Sequence, residues 1–390
     1  MCLLYMSCAL CAVREDCNES SLHLLPATDD MGVLLADVLD EQRIEFRRRR
    51  NLFEVTAPGE RSHLISLLRQ VLSEPERQAV SVLNGSLNAD PGDFPRAQPL
   101  DQWWRVHQTD WFSEALAKNR FEIWFQPIVN TAIAAQGPPD AAPAPPDRIL
   151  AHECLIRLIA GRLYNGGEIV DAARTRNEIH AFDSYARSLS IRSAARQPAR
   201  SRGKFFVNFM PSSIYNPEFC MKSTMATLAE SGLTPRDIVF EVVESDQVRD
   251  PSHLRRICDY YRRHGFAFAL DDVGTGANSL QMVCDLRPDY IKLDKSLISN
   301  IEQPMYAATI RKLVELAAQF GVLVIAEGVE QVQTMENLWL LGVQYMQGYL
   351  FGRPAPLLTD SVPEPASASV GGREPGTPFR TTDTHTFALS

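Results

Sequence analysis

IVFEVVESDQVRDPSHLRRICDYYRRHGFAFALDDVGTGANSLQMVCDLRPDYIKLD, residues 238–294, carries three short apolar runs, each with charged residues at its end. IVFEVVE holds Glu241 and Glu244, FAFALDD holds Asp271 and Asp272, and YIKLD holds Lys292. β-Branched and aromatic runs of this length read as strands, and Ser252–His264 has the length of a crossover helix. Strand, helix, strand repetition implies a parallel sheet.

The same pattern extends outward. Upstream lie FEIWFQPIV, ILAHECLIR with Glu153 and KFFVNF with Asn208; downstream lie VLVIAEGVE with Glu327 and Glu330, and YMQGYLF with Gln347. Helical stretches at Glu178–Ala194, Glu218–Ser231, Met305–Phe320 and Val332–Leu341 separate them. About eight strands imply closure into a (β/α)8 barrel, in which the strand C-termini converge on one catalytic mouth. An open doubly wound sheet would carry a Gly-rich phosphate loop after its first strand, and the Ala/Pro-rich stretch after FQPIVN has none.

The chain has 390 residues, room for one barrel of roughly 250 residues and a small second domain. A net charge of −9 argues against bulk nucleic-acid binding and means that an anionic substrate needs metals or placed Lys and Arg. The apolar opening Met1–Val13 is too short for a membrane span and lacks a basic lead-in, so a cytoplasmic protein is expected. Residues 1–19 form a leader with Cys2, Cys8, Cys11 and Cys17, whose one CxxC pair is a thin basis for a metal site.

Residues 20–90 read as a small α+β domain in the order βαββαβ, a ferredoxin-like sandwich. Its strands fall at Ser21–Leu25, Arg43–Arg47, Leu52–Thr56 and Ala79–Leu83. Asp29 and Asp30 are N-cap candidates for the first helix, and Glu60–Leu72 is the second. The run Arg47–Arg50 is either a solvated turn or an anion or partner patch. Residues 91–104 serve as a linker, 105–355 as the barrel, and 356–390, rich in Ser, Thr, Pro and Gly, as a disordered tail.

A strand-end Asp alone ordinarily caps a helix or forms a turn. Polar residues at the ends of consecutive strands, all at one mouth, have a different meaning. Glu153, Asn208, Glu241, Asp271 and Asp272 supply hard oxygen ligands suited to Mg2+ or Mn2+, and no His/Cys cluster accompanies them. So many ligands suit two ions, as in phosphodiester hydrolysis. Lys292 adds a cation that can hold a water or a carboxylate, and Glu327 can act as general base.

In their order, FQPIV, ECLIR, VNF, EVVE, DDVGTG, PDYIKLD, AEGVE and QGYLFGRP resemble the signature of the EAL domains, the bacterial cyclic di-GMP phosphodiesterases. The resemblance covers about residues 105–355. It implies a TIM-barrel variant with an antiparallel first strand, and metal-dependent hydrolysis of cyclic di-GMP to linear pGpG. It also implies that Glu153, Asn208, Glu241 and Asp271 ligate a first metal and that Asp272 ligates a second, bridged by Asp271. Lys292 would orient the water, Glu327 would be the base or a direct metal-site carboxylate, Glu330 and Gln347 would order the site, and Arg157 would grip a phosphate. Glu244 would brace the loop after Asp272 and couple it to a homodimer interface on the barrel. The small domain would regulate the barrel and meet a signalling partner. Cys154, Val273 and Ala277 depart from the family's usual Ala, Phe and aromatic residue. The alternative is a catalytically weak or inactive cyclic di-GMP receptor acting through partners; such receptors lose metal ligands or the base, and here all are present.

Overall fold

The computed structural model describes residues 21–56, 61–84, 97–131, 149–198, 203–214, 216–243, 251–274 and 279–358. The Cys-containing leader, the Ala/Pro-rich insertion, Glu244, Ala277 and the tail from residue 359 lie outside the described residues. The chain divides into two compact units between Glu114 and Ala115.

The first unit contains β1 (Ser21–Pro26), α1 (Asp29–Glu41), β2 (Phe46–Arg49), β3 (Leu52–Thr56), α2 (Arg61–Val71), α3 (Glu74–Gln78), β4 (Val80–Asn84), β5 (Gln98–Pro99) and α4 (Leu100–Gln108). Its sheet runs β2-β3-β1-β4-β5 with antiparallel neighbours, and its first four strands follow the ferredoxin-like order. Leu22, Leu24, Phe53, Val55, Val80 and Val82 alternate along the central strands into one core with Leu35, Leu39 and Leu68 of the helices.

Several expectations shift. Thr28, not Asp29 or Asp30, is the N-cap of α1: its side chain accepts from Met31 N, and the two acids sit in the first turn, where the helix dipole favours them. The second strand begins at Phe46, not Arg43. Arg43 takes a left-handed φ of 56° after the helix, and Phe46 must reach the core, where its ring lies 5.4 Å from Phe53. Residues 98–104 are not linker: Gln98–Pro99 pairs with Ser81–Val82, and α4 buries Leu100 and Trp103 in the small core. A barrel fragment should therefore be cut near Thr109. A fragment begun at Asp101 keeps Trp103 without its core and should show greater aggregation by light scattering; equal solubility would show that α4 does not depend on that core.

The second unit holds the end of α5 (Asp110–Ala117), then β6 (Phe121–Asn130), β7 (Ile149–Ala160), β8 (Arg162–Tyr164), α6 (Gly166–Thr175), α7 (Ile179–Ala195), β9 (Lys204–Phe209), α8 (Pro217–Ser231), β10 (Ile238–Val243) and α9 (Pro251–Arg263). It continues with β11 (Ala267–Val273), α10 (Ser279–Leu286), β12 (Tyr290–Leu293), α11 (Lys295–Ser299), α12 (Pro304–Gln319), β13 (Leu323–Ala326), α13 (Val332–Leu340) and β14 (Tyr345–Gln347). Eight of these strands close into a barrel: β6 pairs with both β14 and β7, and β8 adds only a hairpin to β7. β6 is antiparallel to both neighbours, while β7 and β9–β14 run parallel. The expected tail is ordered at its start: Leu358 is buried, and its N–H donates to Gln197 Oε1 at 3.1 Å.

The barrel interior is layered. Ile128, Ala151, Phe206, Val239, Ala269, Tyr290 and Ile325 form an apolar floor. Strand side chains return to the same face every second residue. Two positions along, the floor is overlaid by Gln126, Glu153, Asn208, Glu241, Asp271, Lys292 and Glu327. The intervening residues, such as Phe205, Val207, Phe240, Phe268 and Leu270, face outward into the shell beneath the helices.

Candidate active site

The polar layer closes around one side chain. Lys292 is fully buried, and its ammonium contacts Glu241 and Glu327 directly, with Glu153 at 3.4 Å and Asp271 at 3.5 Å. Gln347 Nε2 donates to Glu153 Oε2 at 2.6 Å and to Gln126 Oε1 at 3.2 Å, and Gln126 in turn donates to the Gly352 carbonyl at 3.2 Å. Asn208 Nδ2 approaches Glu153 Oε1 at 3.5 Å. One oxygen from each of Glu241, Asp271 and Glu327 lies within 4.8 Å of the others.

Adjacent carboxylates on a regular strand would point to opposite faces. The β11–β12 register shifts between Leu270 and Val273, and Asp272 takes φ 56°, a left-handed conformation that Asp tolerates better than most residues. Asp271 Oδ1 accepts from the Asp272 N–H at 2.9 Å. This local break keeps Asp272 beside the pair formed by Asp271 and Lys292.

Five carboxylates crowd one ammonium, and their proton affinities respond. Burial, reinforced by Asp271 and Glu153 against Lys292, pushes Glu327 up to about 8. Burial, with Asp271 and Asp294, pushes Asp272 up to about 6. Glu241 and Asp271 also rise, chiefly through burial. Glu153 moves the other way: burial opposes its ionisation, but Lys292 and the Gln347 hydrogen bond outweigh it. Burial disfavours the Lys292 charge, yet Asp271, Glu153, Glu241 and Glu327 hold it protonated.

A carboxyl with a raised folded-state value contributes stability at low pH that is lost as pH rises from its unfolded value to its folded one. For Glu327 that window runs from 4.5 to about 8. In EDTA the melting temperature should fall as pH rises through that window. With Mn2+ the trend should flatten or reverse, because metal ligation grows as carboxylates ionise. A melting temperature in EDTA that rises with pH would refute this charge balance.

The site opens into a cleft of about 300 Å3 lined by Gln126, Glu153, Leu155, Asp271, Glu327 and Gln347, with Lys295, Glu330 and Tyr349 at its mouth. Glu330 does not join the buried layer: it is exposed and paired with Lys295 at 2.6 Å, because the strand has already ended at Ala326. Gly348 lets the chain pass the cleft, since a Cβ there would overlap the Val329 backbone. Arg157 lies on the Glu153 side of β7, half-buried, and donates to the Ile156 carbonyl at 2.8 Å. Cys154 points the other way into the shell, where burial pushes its thiol up. Val273 is buried in the same shell. Gln126, Lys295 and Tyr349 were not singled out from the sequence. Gln126 alone had a signal, as the polar residue inside the apolar run FQPIV.

Residues 109–354 match the model of the EAL domain family. The chain belongs to the EAL domain family. Its relatives include the Escherichia coli protein named cyclic di-GMP phosphodiesterase PdeF, 31% identical over 165 residues, 42% of this chain and 22% of PdeF. RocR of Pseudomonas aeruginosa, also named a cyclic di-GMP phosphodiesterase, is 35% identical over 132 residues, 34% of each chain. The matched segments thus span no more than about a third of these relatives' length.

Among solved structures, a standalone EAL protein from Vibrio cholerae O395 in its c-di-GMP-bound form has 28% identity and a TM-score of 0.52, over 62% of this chain and 94% of that one. BlrP1 of Klebsiella pneumoniae, solved with manganese and cyclic di-GMP, has 20% identity and a TM-score of 0.52, over 86% of this chain and 95% of that one. The second likeness is one of fold, and its coverage exceeds what the EAL domain alone can supply, so it reaches into the small N-terminal unit. Among the described residues, no helix is long and apolar enough to cross a membrane.

Proposed function

We propose that this EAL domain hydrolyses cyclic di-GMP to linear pGpG with the help of Mg2+ or Mn2+, two ions per site. The observation that carries the reading is the group of five carboxylates and three amides around one buried ammonium, at the mouth of the barrel. The residues fit divalent ions. Glu241 is fully buried, and its two carboxylate oxygens accept no hydrogen bond and face only the Lys292 ion pair. Such an acceptor-rich pocket is costly unless further cations enter it. Glu153, Asn208, Glu241 and Asp271 would hold one ion, and Asp271 with Asp272 a second. Ions bound there would neutralise the phosphodiester and make water more acidic.

The chain's own residues divide the remaining work. Burial holds Glu327 protonated in the metal-free site, and ions beside it would favour its ionised form, which could accept a proton from the attacking water. Lys292 Nζ fixes the Glu327 and Glu241 carboxylates relative to each other. Gln347, held by Gln126, fixes Glu153. Glu330 keeps Lys295 at the cleft mouth, and Arg157 grips a substrate phosphate through its planar fork. The relatives named phosphodiesterases and the cyclic di-GMP-bound Vibrio cholerae protein support the substrate.

In this reading the protein is cytoplasmic, its barrel forms a homodimer, and the N-terminal unit regulates turnover and meets a signalling partner. The exposed Met305 and Phe320 near the two ends of α12 suit an interface between copies. Purified protein with Mg2+ or Mn2+ should release pGpG from cyclic di-GMP; binding without release would leave a receptor. Glu327→Gln should keep cyclic di-GMP binding and lose about 100- to 10,000-fold in turnover, the usual contribution of a general base. If rate and affinity both survive, the base lies elsewhere.

A further inference from the structure

Arg43, Arg47, Arg48, Arg49 and Arg50 are all exposed, in a chain whose net charge is −9. Their nearest carboxylates in sequence and across the strand pair are Glu41, Glu45 and Glu54, the last paired in register with Arg47. None of the five arginines forms an ion pair with a described residue. Arg48 alone is settled: its guanidinium lies 5.1 Å from the Phe53 ring centroid, and its Nε donates to the Arg50 carbonyl at 3.1 Å. Arg47 and Arg49 alternate with it and share the opposite face of β2. Among the described residues β2 pairs only with β3, so it is an edge of the five-stranded sheet with one side of its backbone unpaired.

Charged side chains on an edge strand can simply block unwanted pairing, and lysine is the usual residue for that. Here every position from Arg47 to Arg50 is arginine, whose rigid fork matches a carboxylate with two parallel hydrogen bonds. Consecutive arginines also repel one another, a cost that edge blocking does not require. An anionic partner would offset it.

We propose that β2 is a docking edge for an extended acidic segment of a partner protein, which adds as a further strand and places carboxylates at alternate positions against Arg47 and Arg49. Strand addition takes affinity from the backbone edge and specificity from alternate side chains. The spacing fits: residues two apart on a strand are separated by roughly 6.6 Å, so acids at every second position meet both arginines. A membrane surface or a nucleic acid could use the charge but not the open edge, which is why a peptide strand is favoured. The proposal does not depend on the chemistry of the barrel.

The test uses the full chain and a fluorescent peptide of alternating Glu and Thr, read by anisotropy. Binding should weaken with salt, and should weaken by about tenfold or more when Gln replaces Glu in the peptide. Arg47→Gln with Arg49→Gln should weaken it equally, whereas Arg196→Gln with Lys222→Gln, the same charge change elsewhere, should not. A peptide N-methylated at alternate residues keeps its charge but cannot add as a strand, and it should bind about tenfold more weakly or worse. Equal binding of the N-methylated peptide would reduce the patch to non-specific attraction and overturn the proposal. So would no binding of the acidic peptide, or tighter binding of phosphatidylserine vesicles or duplex DNA.

Discussion

Asp271→Ala should eliminate cyclic di-GMP turnover while the barrel stays folded. Asp271 is the proposed bridge between two ions, so its loss removes charge neutralisation and water activation together. The expected fall is about 1,000-fold or more, roughly 4 kcal/mol of barrier. Stability should not suffer in the same way: Asp271 carries a raised proton affinity from burial beside other carboxylates, and its removal relieves that crowding. In EDTA the variant should melt no lower than the parent chain. Release of pGpG within about tenfold of the parent rate would sink the two-ion reading. Glu153→Ala should lose turnover to a similar degree, and its effect also reaches Gln347, whose 2.6 Å hydrogen bond it removes.

Lys292→Met has the largest expected effect on the fold. The ammonium contacts four carboxylates, the buried Glu153 and Glu241 and the partly buried Asp271 and Glu327. Removing one partner from a buried charge network leaves the others uncompensated, at about 3–5 kcal/mol. For a domain of this size that corresponds to a melting temperature lower by about 6–20 °C. Mn2+ should restore part of the loss, because ions at the carboxylates supply the missing positive charge, while EDTA should abolish the recovery. A variant that melts within about 2 °C of the parent in EDTA would mean that the carboxylates are protonated instead of balanced by Lys292. Turnover should fall as well, since Glu327 and Glu241 lose the group that fixes their separation.

Much of the polar layer was legible because the strand period is two and the apolar floor is regular. Ala-x-Glu, Phe-x-Asn, Val-x-Glu, Ala-x-Asp, Tyr-x-Lys and Ile-x-Glu each put a floor residue beneath a polar one, from Ala151/Glu153 to Ile325/Glu327. Gln126 escaped the same logic for a topological reason. β6 runs opposite to the other strands, so its polar residue comes before its floor residue, Ile128, and sits at no strand end. Glu330 shows the converse: the run AEGVE extends beyond the strand, and the turn after Ala326 carries its second acid to the rim of the cleft. The register shift and left-handed φ at Asp272 depend on pairing with β12 and have no local signature. Helices α10 and α11 are too short for their periodicity to be read, and α4 joins the small domain only because Leu100 and Trp103 find a core there.

The apolar floor also decides traffic. Among the described residues, the lower interior of the barrel is filled by Phe206, Tyr290 and their neighbours, so it resembles a cup whose apolar base bars charged species. Ions, substrate and product would share the doorway beside Tyr349 and the Lys295–Glu330 pair. On the proposed function, a dinucleotide seated in that doorway is a stopper. Chelators would strip the ions quickly from an empty cup and slowly from an occupied one, so the order of arrival, and not affinity alone, would set how long a loaded site survives when free metal is scarce.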